Sequence, residues 1–140
     1  MITFFVRGTP KAQPRIKAGR RGNFTRVYTP DTADDWKGLV AIEAKKHLPS
    51  TPLEGPLCVT IEFFFPRPKA HFRRNGELTA DSPFWHTSKP DRDNLDKCIL
   101  DTLTTLGMWK DDCQVCSGQI TKVYATISAP GAAITIAPAS

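Results

Sequence analysis

Between Asp93 and Leu106, branched aliphatic residues return at Leu95, Ile99, Leu103 and Leu106, spacings of four, four and three, and Gly107 follows directly. That period predicts a helix with one apolar stripe, closed by a glycine where a left-handed cap belongs. On the opposite side, Asp93, Lys97 and Asp101 form an i, i+4, i+8 row. The helix buries one face and presents a charged one.

The surface it lies on is a sheet. Ile2 to Arg7 is β-branched and aromatic and is broken by Gly8, Thr9 and Pro10, so it predicts an opening strand. Pro56 to Pro66, PLCVTIEFFFP, is too short for a typical helix and reads as a buried strand. VYATISAPGAAITI closes the chain as a β-hairpin, with Pro130 and Gly131 in type II turn positions. A first helix lies in TPDTADDWKGLVAIEAKKHLP, capped by Thr29 or Asp31, with Trp36, Leu39, Val40 and Ala44 as its stripe and Pro49 just past its end. The order is β-α-β-loop-α-β-β. With 140 residues there is room for one core, so the expectation is a single α+β domain over residues 1–140, a mixed β-sheet packed with two main helices.

The net charge of +5 favours polyanionic partners, and its distribution says more than its sum. Lys11, Arg15, Lys17, Arg20, Arg21 and Arg26 crowd one stretch without an acid, which reads as a mobile loop or loose hairpin. Arg67, Lys69, Arg73 and Arg74 form a second basic cluster inside 67–88, a segment without periodicity. The N-terminus lacks the basic region of a signal peptide, and no apolar stretch approaches the roughly 20 residues of a membrane span. A cytoplasmic protein with four reduced cysteines is therefore expected.

The chemistry concentrates in KPDRDNLDK, residues 89–97. Asp91 and Asp93 stand at the helix start, while Asp111 and Asp112 follow its far end. Convergent aspartates in a basic protein suit Mg²⁺, a hard cation that takes a few carboxylates, waters and phosphate oxygens. Lys97, one turn along, is placed to meet negative charge developing on phosphorus. Capping is the alternative reading for Asp91 or Asp93. Spacing does not decide between them, because nothing in it returns Asp112 along a helix roughly 21 Å long. Asp96 faces elsewhere and is expected to be solvated.

KPDRDNLDKCILDTLTTLGMWKDDCQV, residues 89–115, resembles the signature of the RusA family of Holliday-junction resolvases. The resemblance extends weakly to KAQPR and to YTP at residues 28–30. It implies an RusA-like fold, a homodimer, and Mg²⁺-dependent hydrolysis of phosphodiesters in four-way DNA junctions during recombination and repair. Asp91, Asp93 and Asp112 would ligate the metal and Lys97 would serve catalysis, with Asn94, Asp101 and Asp111 in support. Phosphate contacts fall to Arg15, Lys17, Arg20, Arg21, Lys69, Arg73 and Arg74. The 67–88 segment and the arginine-rich stretch depart from the family pattern, which leaves other branched DNA, or binding without catalysis, as alternative functions.

Cys113 and Cys116 form a C-x-x-C, read here as buried thiols rather than a zinc or redox pair. His86 reads as structural. Phe84 and Trp85 are either core residues or aromatics that stack on an unpaired base.

Overall fold

Alternation along one strand decides which side of the sheet is covered. In β4, Leu57–Phe65, the residues Leu57, Val59, Ile61, Phe63 and Phe65 are buried, whereas Thr60 and Glu62 are exposed. Helices pack on the first face only, so the strand is buried on one side and not on both. The structure is a computed structural model that describes residues 1–14, 17–21, 24–28, 32–126 and 129–140, with the backbone alone for 17–21 and 24–28.

The main sheet is mixed. Its path runs β1 (Ile2–Arg7), β7 (Gly131–Pro138), β4, then β5 (Val115–Ser117), and β6 (Ile120–Tyr124) pairs with β4 beyond β5 on the same edge. β7 is antiparallel to both β1 and β4, while β5 and β6 run parallel to β4. β5 and β6 are joined at Gly118, where a Cβ would lie 1.8 Å from the Val59 carbonyl oxygen, so only glycine lets the chain pass this close to β4.

The expected C-terminal hairpin is not formed: β6 and β7 lie on opposite sides of β4. Both strands find a longer apolar partner in β4 than in each other. Residues 127–128 lie outside the described set.

Helices α1 (Asp34–Lys45) and α2 (Arg92–Leu106) bury Trp36, Val40, Ala44, Leu95, Cys98, Ile99 and Leu103 against Phe4, Val6, Ile61, Phe63, Ile134 and Ile136. Leu39, expected in the α1 stripe, is 43% exposed. Ala33 occupies the N-cap position of α1 with no side-chain cap; Thr29 and Asp31 lie outside the described residues. Gly107 closes α2 at φ 87°, ψ 24°, the left-handed cap its position predicts.

Two more strands, β2 (Lys17–Arg21) and β3 (Phe24–Tyr28), pair antiparallel in a small second sheet. The basic stretch thus contains an antiparallel ribbon. No helix among the described residues is long and apolar enough to cross a membrane.

A candidate catalytic face on helix 2

The N-cap of α2 is Asp91, and its side chain makes no capping hydrogen bond. Pro90 precedes it, and the Leu95 N–H donates to the Asp91 carbonyl at 3.1 Å as the first backbone bond of the helix. The Asp91 carboxylate is left exposed beside a cleft of about 660 Å³ lined by Ala12, Gln13, Lys89, Pro90, Asp91 and Asn94. Asp93 and Lys97 are also exposed, on the first two turns. Asp91, Asp93, Lys97, Lys89 and Arg92 form no ion pair among the described residues.

The return of the chain after Gly107 is what spacing could not supply. Met108 and Trp109 are buried, with the Trp109 indole N–H donating to Thr104 Oγ1 at 2.7 Å. A short 3₁₀ helix, Asp112–Gln114, then packs against α2. Desolvation and the neighbouring Asp111 raise the Asp112 carboxyl above its ordinary range; the charge of Asp101 adds to this and that of Lys97 opposes it. Asp112 therefore lies within electrostatic reach of the Lys97–Asp101 side of α2. Asp101 itself is paired with Lys37 at 3.3 Å, tying α2 to α1.

Asp111 acts as the cap of that short helix. Its Oδ1 accepts from the Cys113 N–H at 3.0 Å, and this backbone bond holds the carboxyl below its ordinary range. Gln114 completes a capping box: its Oε1 accepts from the N–H groups of Lys110 and Asp111, while Nε2 donates to the carbonyls of Leu53 and Gly55. The sequence expectations assign Gln114 no role. The three-residue spacing from Asp111 to Gln114 was the available signal.

Asp96 departs from expectation. It is half-buried, and burial raises its carboxyl despite the Arg92 charge. Cys113 and Cys116 are exposed rather than buried, because the 3₁₀ turn and the edge strand β5 leave them on the rim of the sheet; Cys98 is the buried thiol. Among the described residues no three His, Cys, Asp or Glu side chains are grouped so that they could hold a metal ion, so Asp91, Asp93 and Asp112 are not brought together as one set.

The basic residues divide. Lys17, Arg20 and Arg21 lie on β2, and Arg15 falls outside the described residues. Gln13, just before that ribbon, donates its backbone N–H to the Asn94 carbonyl at 3.0 Å, so the ribbon leaves from the first turn of α2. Lys69, Arg73 and Arg74 are exposed. Arg67 is not available to a ligand in the same way: it donates to the carbonyls of Pro83 and Ala125 and to Thr126 Oγ1, and lies 5.3 Å from the Tyr124 ring centroid. It pins the 67–88 segment to β6.

That segment is ordered by the same cluster. His86 is buried, stacks on Phe65 at 3.9 Å and meets Tyr124 edge-on at 5.0 Å. Phe84 and Trp85, by contrast, are 59% and 56% exposed, which removes the core reading for both. Lys122, absent from any sequence expectation, donates to the Ser88 carbonyl at 2.7 Å and lies within reach of the Asp91 charge.

A family model described as "Endodeoxyribonuclease RusA" matches residues 7–137. The Bacillus subtilis (strain 168) protein YqaN, described only as uncharacterized, is 32% identical over 125 residues, covering 88% of this chain and 87% of its own length.

Proposed function

This chain belongs to the RusA endodeoxyribonuclease family, and from that premise we propose that it uses Mg²⁺ to hydrolyse phosphodiesters in branched DNA, four-way junctions above all. The observation that carries the reading is Asp91, which occupies a helix N-cap without capping it and stands on the same helix as exposed Asp93 and Lys97. A capping aspartate normally spends its oxygens on backbone N–H groups. This one keeps them for a ligand.

Asp91, Asp93 and Asp112 would hold the metal. Their chemistry fits Mg²⁺, which needs only one or a few protein carboxylates and fills its octahedron with water and phosphate oxygens, so no closed cage is required. Bound there, the ion would offset phosphate charge and lower the pKa of an attacking water. Lys97 stabilises negative charge developing on the phosphorus oxygens. Lys89 lines the cleft beside Asp91 and, with the β2 residues Lys17, Arg20 and Arg21 and with Arg15, Lys69, Arg73 and Arg74, would grip flanking phosphates. Asp111 orients the turn that carries Asp112.

A four-way junction has two-fold symmetry, so paired nicks call for two sites related by a dyad, and we place the active species as a homodimer. A cytoplasmic role in DNA recombination and repair belongs to the same reading.

The test is cleavage of a synthetic four-way junction, a forked duplex and a linear duplex at one fixed salt concentration, with Mg²⁺ or EDTA. Symmetric nicks in the junction, abolished by EDTA and by Asp93→Asn while junction binding persists, are expected. Absence of metal-dependent nicking, or wild-type cutting by Asp93→Asn, overturns the proposal. Preferential cutting of the fork would assign the chain to other branched DNA.

A further inference from the structure

We propose that the cleft bounded by Trp85, Arg92 and Lys122 receives one unpaired nucleotide of a branched DNA strand, with its base on the Trp85 indole and its phosphate held by the two cations. The inference rests on the branched-DNA reading above and names how a branch point would be told from a duplex.

Residues 84–86 are laid along the outer edge of β6. The Tyr124 N–H donates to the Phe84 carbonyl and the His86 N–H to the Lys122 carbonyl, both at 3.0 Å, with Trp85 opposite Val123. Trp85 is therefore fixed through its backbone while more than half its surface faces solvent. Phe84 meets it edge-on at 5.0 Å and supports the ring. Burying neither aromatic is costly in water and gains nothing for the fold, whereas a rigid exposed indole is a stacking platform.

The cleft beside it has a volume of about 390 Å³, and Trp85, His86, Thr87, Arg92, Gln119 and Lys122 are among its walls. Among the described residues its lining holds two cations and no acid. His86 is 91% buried (9% exposed), and its Nδ1 has no hydrogen-bond partner among the described residues. An aromatic surface, hydrogen-bonding side chains and paired positive charge together suit a flat, polar ring bearing an anion. Inside a duplex both faces of a base are already stacked, so a base that has left the stack is the one that can lay a face on Trp85. Arg92 directly follows Asp91 in the chain, and Lys122 lies within reach of the Asp91 charge, so a nucleotide held here lies beside the proposed cutting site.

The experiment uses the full chain in EDTA at fixed salt with a four-way junction carrying 2-aminopurine at the branch point. Binding should quench the probe. Trp85→Ala should abolish the quench and weaken junction binding about tenfold, the effect of losing one base stack, with linear-duplex binding unchanged. Trp85→Phe should restore both, and Arg92→Ala should lower the salt slope by about one. Unaltered quench and affinity in Trp85→Ala, or an equal loss on linear duplex, overturns the inference. Failure of the wild type to bind the junction overturns both readings. Quenching that depends on Trp85 in a protein that never cuts with Mg²⁺ would sustain the stacking site and sink the nuclease.

Discussion

Gln114 donates from Nε2 to the carbonyl oxygen of Leu53, 3.0 Å away and 61 residues earlier in the chain. With its bonds to Gly55, Lys110 and Asp111, one side chain fastens the turn carrying Asp112 to the loop before β4. The orientation of a proposed metal ligand therefore depends on a residue that is itself no ligand. Gln114→Ala should lower stability by about 2 kcal/mol in urea denaturation, since four modest hydrogen bonds go but water reaches the freed groups. Cleavage by this variant should also require more Mg²⁺ for half-maximal rate. Unchanged stability and metal requirement would remove Gln114 from this role.

Arg67 joins the start of the 67–88 segment to its end and to β6, through Pro83, Ala125 and Thr126. Arg67→Ala should free that segment while the core stays folded. Limited trypsin digestion should then cut after Lys69, Arg73 or Arg74 faster than in the wild type, with the urea midpoint little changed. Lysine at this position cannot reproduce the planar fork and should protect only partly. Equal digestion of all three proteins would refute the anchoring role.

His86 makes stability depend on pH. Burial, and then the Lys122 charge, lower its pKa below the ordinary 6.5, so the unfolded chain takes up a proton before the folded chain does. The His86 contribution is fully present above about pH 6.5 and is lost as pH falls through the folded value. Asp35 and Asp111, held below the carboxylate range, lose theirs only in stronger acid. Between pH 7.5 and 5.5 the wild type should therefore drop in urea midpoint more than His86→Phe. Identical drops would show that His86 is not the titrating group.

The thiols should separate by reactivity. Burial pushes Cys98 up to about 11, whereas Cys113 and Cys116 are exposed and Cys113 is raised chiefly by its hydrogen bond to Asp111. A thiolate is the reactive form. With Ellman's reagent at pH 8, Cys98 should label only after denaturation, and Asp111→Asn should speed labelling of Cys113. Rapid native labelling of Cys98 would contradict its burial.

Local signals carried the helices well. The Leu95, Ile99, Leu103 stripe and the Gly107 cap are properties of neighbouring turns, and the structure has both. Pairing of distant strands is a different matter. Pro130 and Gly131 suggest a turn, yet no local rule says that β6 and β7 will each prefer β4 to one another. Likewise, Asp112 approaches Lys97 and Asp101 through a reversal whose direction is set by buried Met108 and Trp109 and by the distant Leu53 and Gly55 carbonyls. The motif names the aspartates; only the tertiary path relates the 3₁₀ turn to the helix face. Exposure of Trp85 was equally out of reach, because an aromatic beside a histidine reads the same in a core as on a rim.

The 67–88 segment leaves the sheet after Phe65 and comes back at Phe84, and both residues accept from consecutive backbone N–H groups, Phe65 from Ala125 and Phe84 from Tyr124. Its two ends thus sit side by side on one edge strand, like the terminals of a socket. A longer, shorter or wholly different insert could be plugged in there without disturbing strand order or the aspartates of α2. The chain can exchange what lies between those ends while the helix face that carries Asp91, Asp93 and Lys97 stays as it is.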